Sequence, residues 1–223
     1  MTIVIAMDGP SGSGKSSAAK GVARSLGFRY LDTGAMYRAM TWWMLSQDVP
    51  VEDAEQVAAR AGEPLLELGT DPDAPTIRID GTDVSGPIRT REVTNAVSAV
   101  SSVPVVRERL VALQREIMAG GDIVAEGRDI GTVVAPGAPV KIFLTASEEI
   151  RAQRRAGDLT ADPAATVQIL LQEQARRDRL DSTRKASPMT KADDAVEIDS
   201  TELKLEEVVD AVVRLVKERA AAL

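Results

Sequence analysis

The chain has 223 residues and a net charge of −7, and it contains neither histidine nor cysteine. This excludes disulfides, thiol catalysis, a histidine general base, a phosphohistidine intermediate, and imidazole or thiolate metal ligands. Hydrophobic residues at 44% and charged residues at 27% suit a soluble globular domain with ample chain for a core. No apolar run approaches the ~20 residues of a membrane span, and the acidic balance disfavours nucleic acid as a partner. With no signal peptide at its N-terminus, the chain is expected to be cytoplasmic.

Chain order begins with a strand over residues 2–8, carried by Ile3-Val4-Ile5-Ala6-Met7. It runs into Gly9-Pro10-Ser11-Gly12-Ser13-Gly14-Lys15-Ser16-Ser17, and a helix over 14–26 follows. This is a phosphate-binding loop in the strand–loop–helix setting that the motif requires. Glycines let backbone N–H groups crowd around a polyphosphate, and the helix N-terminus adds a favourable dipole. Lys15 supplies a mobile cation. The ligand implied is a nucleoside triphosphate.

Residues 28–32 read as a second short strand, followed by a helix over about 35–46. Residues 48–93 then break the alternation. Pro50, Pro64, Pro72, Pro75 and Pro87 interrupt them, and Thr76 to Val84 predicts two strands around an Asp80-Gly81 turn. The segment is predicted to be an inserted subdomain. Later strands fall at 123–126, 140–144 and 195–199, with a long helix over about 163–180 and a last one over about 203–221. Leu205, Val208, Val209, Val212, Leu215 and Val216 form a core-facing stripe on that last helix. Apolar strands separated by helices predict an α/β fold, with a doubly wound parallel sheet covered on both faces.

Arginine placement is the second signal. Solvated helix faces account equally well for Arg151, Arg176 and Arg179. Arg38 and Arg128 differ, because Asp32-Thr33-Gly34-Ala35-Met36-Tyr37-Arg38 and Glu126-Gly127-Arg128-Asp129 both follow strand ends. Open α/β sheets bind ligands there, and guanidinium forks grip phosphate bidentately. Two grips beyond the loop imply a second phosphate-bearing substrate. A nucleotide-dependent switch or another small-molecule kinase would share the loop and the core. The switch would not explain the paired arginines.

Five segments resemble the bacterial cytidylate kinases, a branch of the nucleoside monophosphate kinases. They are Asp8 to Lys15, Leu31 to Arg38, Asp83 to Arg89, Glu126 to Val134, and Asp181 to Arg184, in the family's order along essentially the whole chain. The resemblance implies a P-loop kinase fold on a five-stranded sheet: a core, a monophosphate-binding insertion over 48–93 and a lid over about 150–162. It also implies the reaction ATP + CMP (or dCMP) → ADP + CDP (or dCDP) with magnesium, in a monomer.

By position, the resemblance puts residues 9–17 on the ATP phosphates, with Lys15, Arg128, Arg154 and Arg155 at the transferring group. Thr33, Arg38 and Arg128 become grips on the CMP phosphate. Ser98, Arg107, Asp129 and Arg184 become cytosine contacts, and Arg177 with Asp181 sugar contacts, the division between base and ribose being open. Ser16 or Ser17 would touch magnesium, with Ser16 favoured by the general motif; Asp32 and Asp129 could hold metal-bound waters. Three departures from other members stand out: Thr33 for serine, Glu126 for aspartate, and Ser16-Ser17 for Gly-Thr.

Overall fold

Strand β1 (Val4–Asp8) lies at the centre of a five-stranded parallel sheet in a computed structural model that describes residues 2–158 and 166–220. Strands β6 (Ile123–Gly127) and β7 (Val140–Thr145) flank it, and β2 (Arg29–Asp32) and β8 (Val196–Asp199) are the edges. The order is β2-β6-β1-β7-β8, with Ala6 opposite Ala125 on one side and Lys141 on the other. Chain-neighbours β1 and β2 are therefore separated by β6. The C-terminal ends of all three open onto the same rim, where such sheets place their ligands.

Alternation along each strand divides the apolar residues between two faces. Ile5, Met7, Tyr30, Val124, Ile142 and Leu144 pack against α1 (Lys15–Leu26) and α8 (Leu205–Ala220). Ala6, Leu31, Ile123 and Ala125 pack on the other face against α2 (Thr33–Ser46) and α5 (Pro104–Ala119). On α8 the expected stripe is narrower. Val208, Val212 and Val216 are buried and Val209 and Leu215 partly so, whereas Leu205 is 44% exposed.

Helix α2 starts two residues before the expected position because Asp32 caps it, accepting from Ala35 N at 2.8 Å. After it come α3 (Ala54–Arg60) and a three-stranded antiparallel sheet, β3 (Leu66–Leu68), β4 (Ile77–Ile79) and β5 (Thr82–Asp83). The β4–β5 turn is the expected Asp80-Gly81, both residues having positive φ. Val57, Leu66, Ile77, Ile79 and Ile88 share one core with Ala6 and Leu31. Arg109 of α5 fastens this segment through the Ala61 and Pro64 carbonyls.

Helices α4 (Arg91–Ser101) and α5 fill a stretch for which the sequence pattern predicted no element. Helices α6 (Glu148–Asp158) and α7 (Val167–Thr183) pack against each other and meet the rim of the main sheet. Helix α7 ends at Thr183, three residues beyond the expected limit. The expected lid, 150–162, falls on α6 as far as 158, and residues 159–162 lie outside the described residues. No helix among the described residues is long and apolar enough to cross a membrane.

Candidate active site

A cleft of about 860 Å³ opens along the rim. Its floor is the loop from Ser11 to Ser17; Asp32, Arg38, Glu126 and Arg128 line one wall, and Arg154, Arg155 and Arg177 also face it. The loop needs its glycines. Gly9 has φ +143°, and a Cβ there would stand 2.0 Å from the Leu144 carbonyl oxygen. Only a residue without a side chain lets the loop leave β1 so close to β7.

Lys15 is buried and turned back on the loop, donating to Pro10 O at 2.6 Å and Ser13 Oγ at 3.3 Å. Burial, helped by the Arg128 charge, pulls its ammonium down to about 7. An anion in the cleft would oppose both effects. Asp8, the last residue of β1, accepts from Ile130 N at 2.8 Å and Gly131 N at 2.7 Å. It thereby ties the start of the loop to the turn after β6. Burial still pushes its carboxyl up to about 6.

The facing wall is built of ion pairs. Arg38 donates to Asp32 Oδ2 at 3.0 Å, and Arg89 lies 3.7 Å from the same oxygen. Burial alone would raise the Asp32 carboxyl, but Arg38 and Arg89 outweigh it and hold it below its usual range. Arg128 Nε donates to Asp181 Oδ2 at 3.1 Å, and Ser98 Oγ reaches Asp181 Oδ1 at 3.4 Å. Arg107 and Asp129 form a fully buried pair, with Arg184 3.6 Å from the same carboxylate. The Arg107 guanidinium also stands 5.3 Å from the centre of the Tyr37 ring. Burial, helped by the like charge of Arg128, lowers the Arg177 guanidinium to about 10.

A family model described as cytidylate kinase matches residues 5–218. The chain is 56% identical over 223 residues to a curated cytidylate kinase of Streptomyces avermitilis, covering 99% of this chain and 95% of the relative. A cytidylate kinase of Streptomyces griseus gives 56% over 224 residues, with the same coverage. The chain belongs to the cytidylate kinase family. A gluconokinase structure from Sinorhizobium meliloti is similar in fold alone: TM-score 0.51, 18% identity, 99% of this chain and 95% of that one. Membership makes this enzyme an ATP-dependent phosphotransferase acting on CMP and dCMP.

For a cytidylate kinase, the anticipated residues fall into two groups. Lys15, the loop, Arg38, Arg128, Arg154, Arg155 and Arg177 line the cleft. Ser98 and Asp181 are joined to it through Arg128, and Arg107, Asp129 and Arg184 form a second ion-paired group. The Thr33 hydroxyl is engaged elsewhere, donating to the Glu126 carbonyl at 2.7 Å. Arg151 departs from the solvated face that the sequence allowed it. It is buried against the loop backbone and Asp178, while Arg176 and Arg179 are exposed. Arg154 donates to Ser13 O at 3.3 Å and to Ser200 O at 2.7 Å, bridging loop and β8.

Tyr30 and Glu126 are site residues whose partnership the sequence did not disclose. Glu126 is buried beside the loop, accepts from the Tyr30 hydroxyl, and accepts from Ser16 Oγ at 3.0 Å. Burial and the Asp32 charge raise its carboxyl. Among the described residues, no three His, Cys, Asp or Glu side chains gather as a metal cage. Magnesium does not need one, since it keeps several waters and binds through few protein oxygens plus substrate phosphates. The Ser16 hydroxyl beside the Glu126 carboxylate is a hard-oxygen pair that fits such an ion.

Proposed function

We infer that the enzyme transfers the γ-phosphoryl group of ATP to CMP or dCMP, giving ADP and CDP or dCDP, with the cleft's two walls each holding one nucleotide. The observation that carries this reading is that two separate sets of phosphate-directed cations face one cavity. Lys15, Arg154 and Arg155 stand with the loop; Arg38, Arg128 and Arg177 also face the cavity, Arg38 and Arg128 from the opposite wall. A hydrolase using water as acceptor has no need of the second set.

In this reading, the loop over residues 9–17 holds the triphosphate through main-chain N–H groups other than that of Ser11, Pro10 having none, together with the α1 N-terminus. Arg38 and Arg128 hold the CMP phosphate so that one of its oxygens points at the γ-phosphorus. That oxygen forms the new P–O bond as the bond to the β–γ bridging oxygen breaks, and ADP keeps the electron pair. The monoester oxygen is already anionic, so the chemistry requires no general base, consistent with a chain that has no histidine. Lys15, Arg154 and Arg155 neutralise charge spreading over the transferring group. Magnesium, held through Ser16 with Glu126 behind it, would supply further charge neutralisation on the phosphates.

Cytosine recognition falls to the buried cluster. Asp129 can accept from the exocyclic amino group while Arg107 donates to the ring nitrogen and carbonyl, with Ser98 and Arg184 at the rim. Arg177 and Asp181 face the sugar. Uracil reverses donor and acceptor at two positions, which leaves a buried group unpaired and costs about 1–3 kcal/mol. A coupled assay of ADP formation with CMP, dCMP, UMP, AMP and shikimate tests the assignment. CMP and dCMP should exceed UMP in kcat/KM by about tenfold or more; equal use of UMP or AMP would contradict it.

A further inference from the structure

Side chains from the α6–α7 pair converge on the main chain of one residue at the loop tip, Ser11, and so on the two peptides that flank it. The Ser11 N–H donates to Asp178 Oδ1 at 3.4 Å, and the Ser11 carbonyl accepts from Arg151 Nη1 at 3.0 Å. Arg151 and Asp178 are themselves an ion pair. Arg151 is only 5% exposed; its Nε donates to Ala146 O at 3.2 Å, and its own carbonyl accepts from Gln174 Nε2 at 3.2 Å. The contact is close on the next residue too. A Cβ on Gly12 would stand 2.7 Å from the Arg151 carbonyl oxygen and 2.8 Å from Gln174 Nε2.

The polarity of this arrangement carries the argument. The carboxylate faces the Ser11 N–H and the guanidinium faces the Ser11 carbonyl, so each flanking peptide meets a group of matching charge in one orientation only. Gly9, Gly12 and Gly14 all have positive φ, and peptides in so glycine-rich a loop reorient at low cost. Turning over the Pro10–Ser11 peptide would set a carbonyl against Asp178, and turning over the Ser11–Gly12 peptide would set an N–H against Arg151. Burying an ion pair gives little net stability compared with apolar packing, so stability alone does not explain one here. Arg154 and Arg155 line the cleft, whereas Arg151 is engaged with the loop backbone.

We propose that Arg151 and Asp178 are positioning residues for ATP: they hold the carbonyl and the N–H of Ser11, fixing both flanking peptides, and keep the loop in the shape that receives the triphosphate. The proposal rests on the reading of this loop as the ATP site. The pair sets the donor side, so its loss should appear in ATP parameters and spare those of CMP.

The test uses the full-length enzyme and two variants. Arg151→Met keeps the apolar stem and removes the donor to Ser11; Asp178→Asn keeps an acceptor oxygen for one of Ser11 and Arg151 and sets an amide donor against the other. Arg151→Met should raise the KM and calorimetric Kd for ATP about tenfold and change the KM for CMP less than about twofold. Asp178→Asn, which leaves a donor facing a donor, should raise the KM and Kd for ATP by about threefold or more and likewise spare CMP. If Arg151→Met fails to fold because Asp178 is left unpaired, the Arg151→Met/Asp178→Leu double variant removes both charges and carries the same expectation. A lowered melting temperature with unchanged ATP affinity would reduce the pair to packing and overturn the proposal, as would equal losses for ATP and CMP. Failure of the wild-type enzyme to bind ATP would instead overturn the assignment of the loop.

Discussion

The two walls of the cleft are prepared for phosphate in different ways. On the proposed reading, the donor wall binds through main-chain N–H groups, Arg154, Arg155 and Lys15, which donates to loop atoms at Pro10 and Ser13. On the acceptor wall the cations already have carboxylate partners: Arg38 with Asp32, Arg128 with Asp181, Arg107 with Asp129. A backbone cradle accepts any triphosphate of the right shape. Paired arginines must exchange one acceptor for another, and only a ligand offering matched groups at every position makes that exchange favourable. Selectivity therefore belongs to the acceptor wall, and raw electrostatic stabilisation to the donor wall.

The largest expected effect lies on the donor side. Lys15→Met should lower kcat about a thousandfold or more while the protein still melts cooperatively, because Lys15 serves ligand rather than core. Turnover near wild type in a folded variant would break the division. Next comes Arg128→Met, which removes a grip common to every nucleoside monophosphate. It should lower kcat/KM for CMP and UMP alike, by about thirtyfold, leaving their ratio unchanged. A shifted ratio would move Arg128 into base reading.

The smallest effect concerns Asp8, which joins the walls through Ile130 and Gly131. Burial raises its carboxyl from 3.8 to about 6, so between those values the folded chain holds this proton more tightly than the unfolded chain. Its contribution to stability is full below about pH 4 and is lost as pH rises through about 6, worth at most about 3 kcal/mol. Asp8→Asn removes this negative slope. Urea unfolding of the variant across about pH 4 to 6 should show stability rising more steeply, or falling less, with pH than in wild type. Parallel curves would show that Asp8 does not titrate in that range.

The donor wall was the more legible in sequence because its chemistry is local. Strand, loop and helix are consecutive, and glycine spacing encodes the cradle directly. The Asp80-Gly81 hairpin was legible for the same reason. Strand β3, with three residues, and α3, with seven, carry too little periodicity to be seen, and the apolar core shared with Ala6 and Leu31 holds them. On the acceptor wall, family resemblance named the residues but not their pairing. Arg128 meets Asp181 across 53 positions, and Ser98 meets Asp181 across 83. Glu126 shows this most clearly. Its extra methylene relative to aspartate was visible, yet its partners Tyr30 and Ser16 come from two other elements.

The most direct test of the division between walls is the ratio of kcat/KM for CMP to that for UMP, at saturating ATP, in wild type and Asp129→Ala. Asp129 is buried with Arg107 and Arg184, where it can accept from the cytosine amino group. Its loss should damage CMP use more than UMP use and narrow the ratio by about tenfold or more, since a charge-assisted hydrogen bond contributes roughly 1.5–3 kcal/mol. An equal fall for both nucleotides would place Asp129 in the scaffold or the magnesium shell and contradict base reading by the buried cluster.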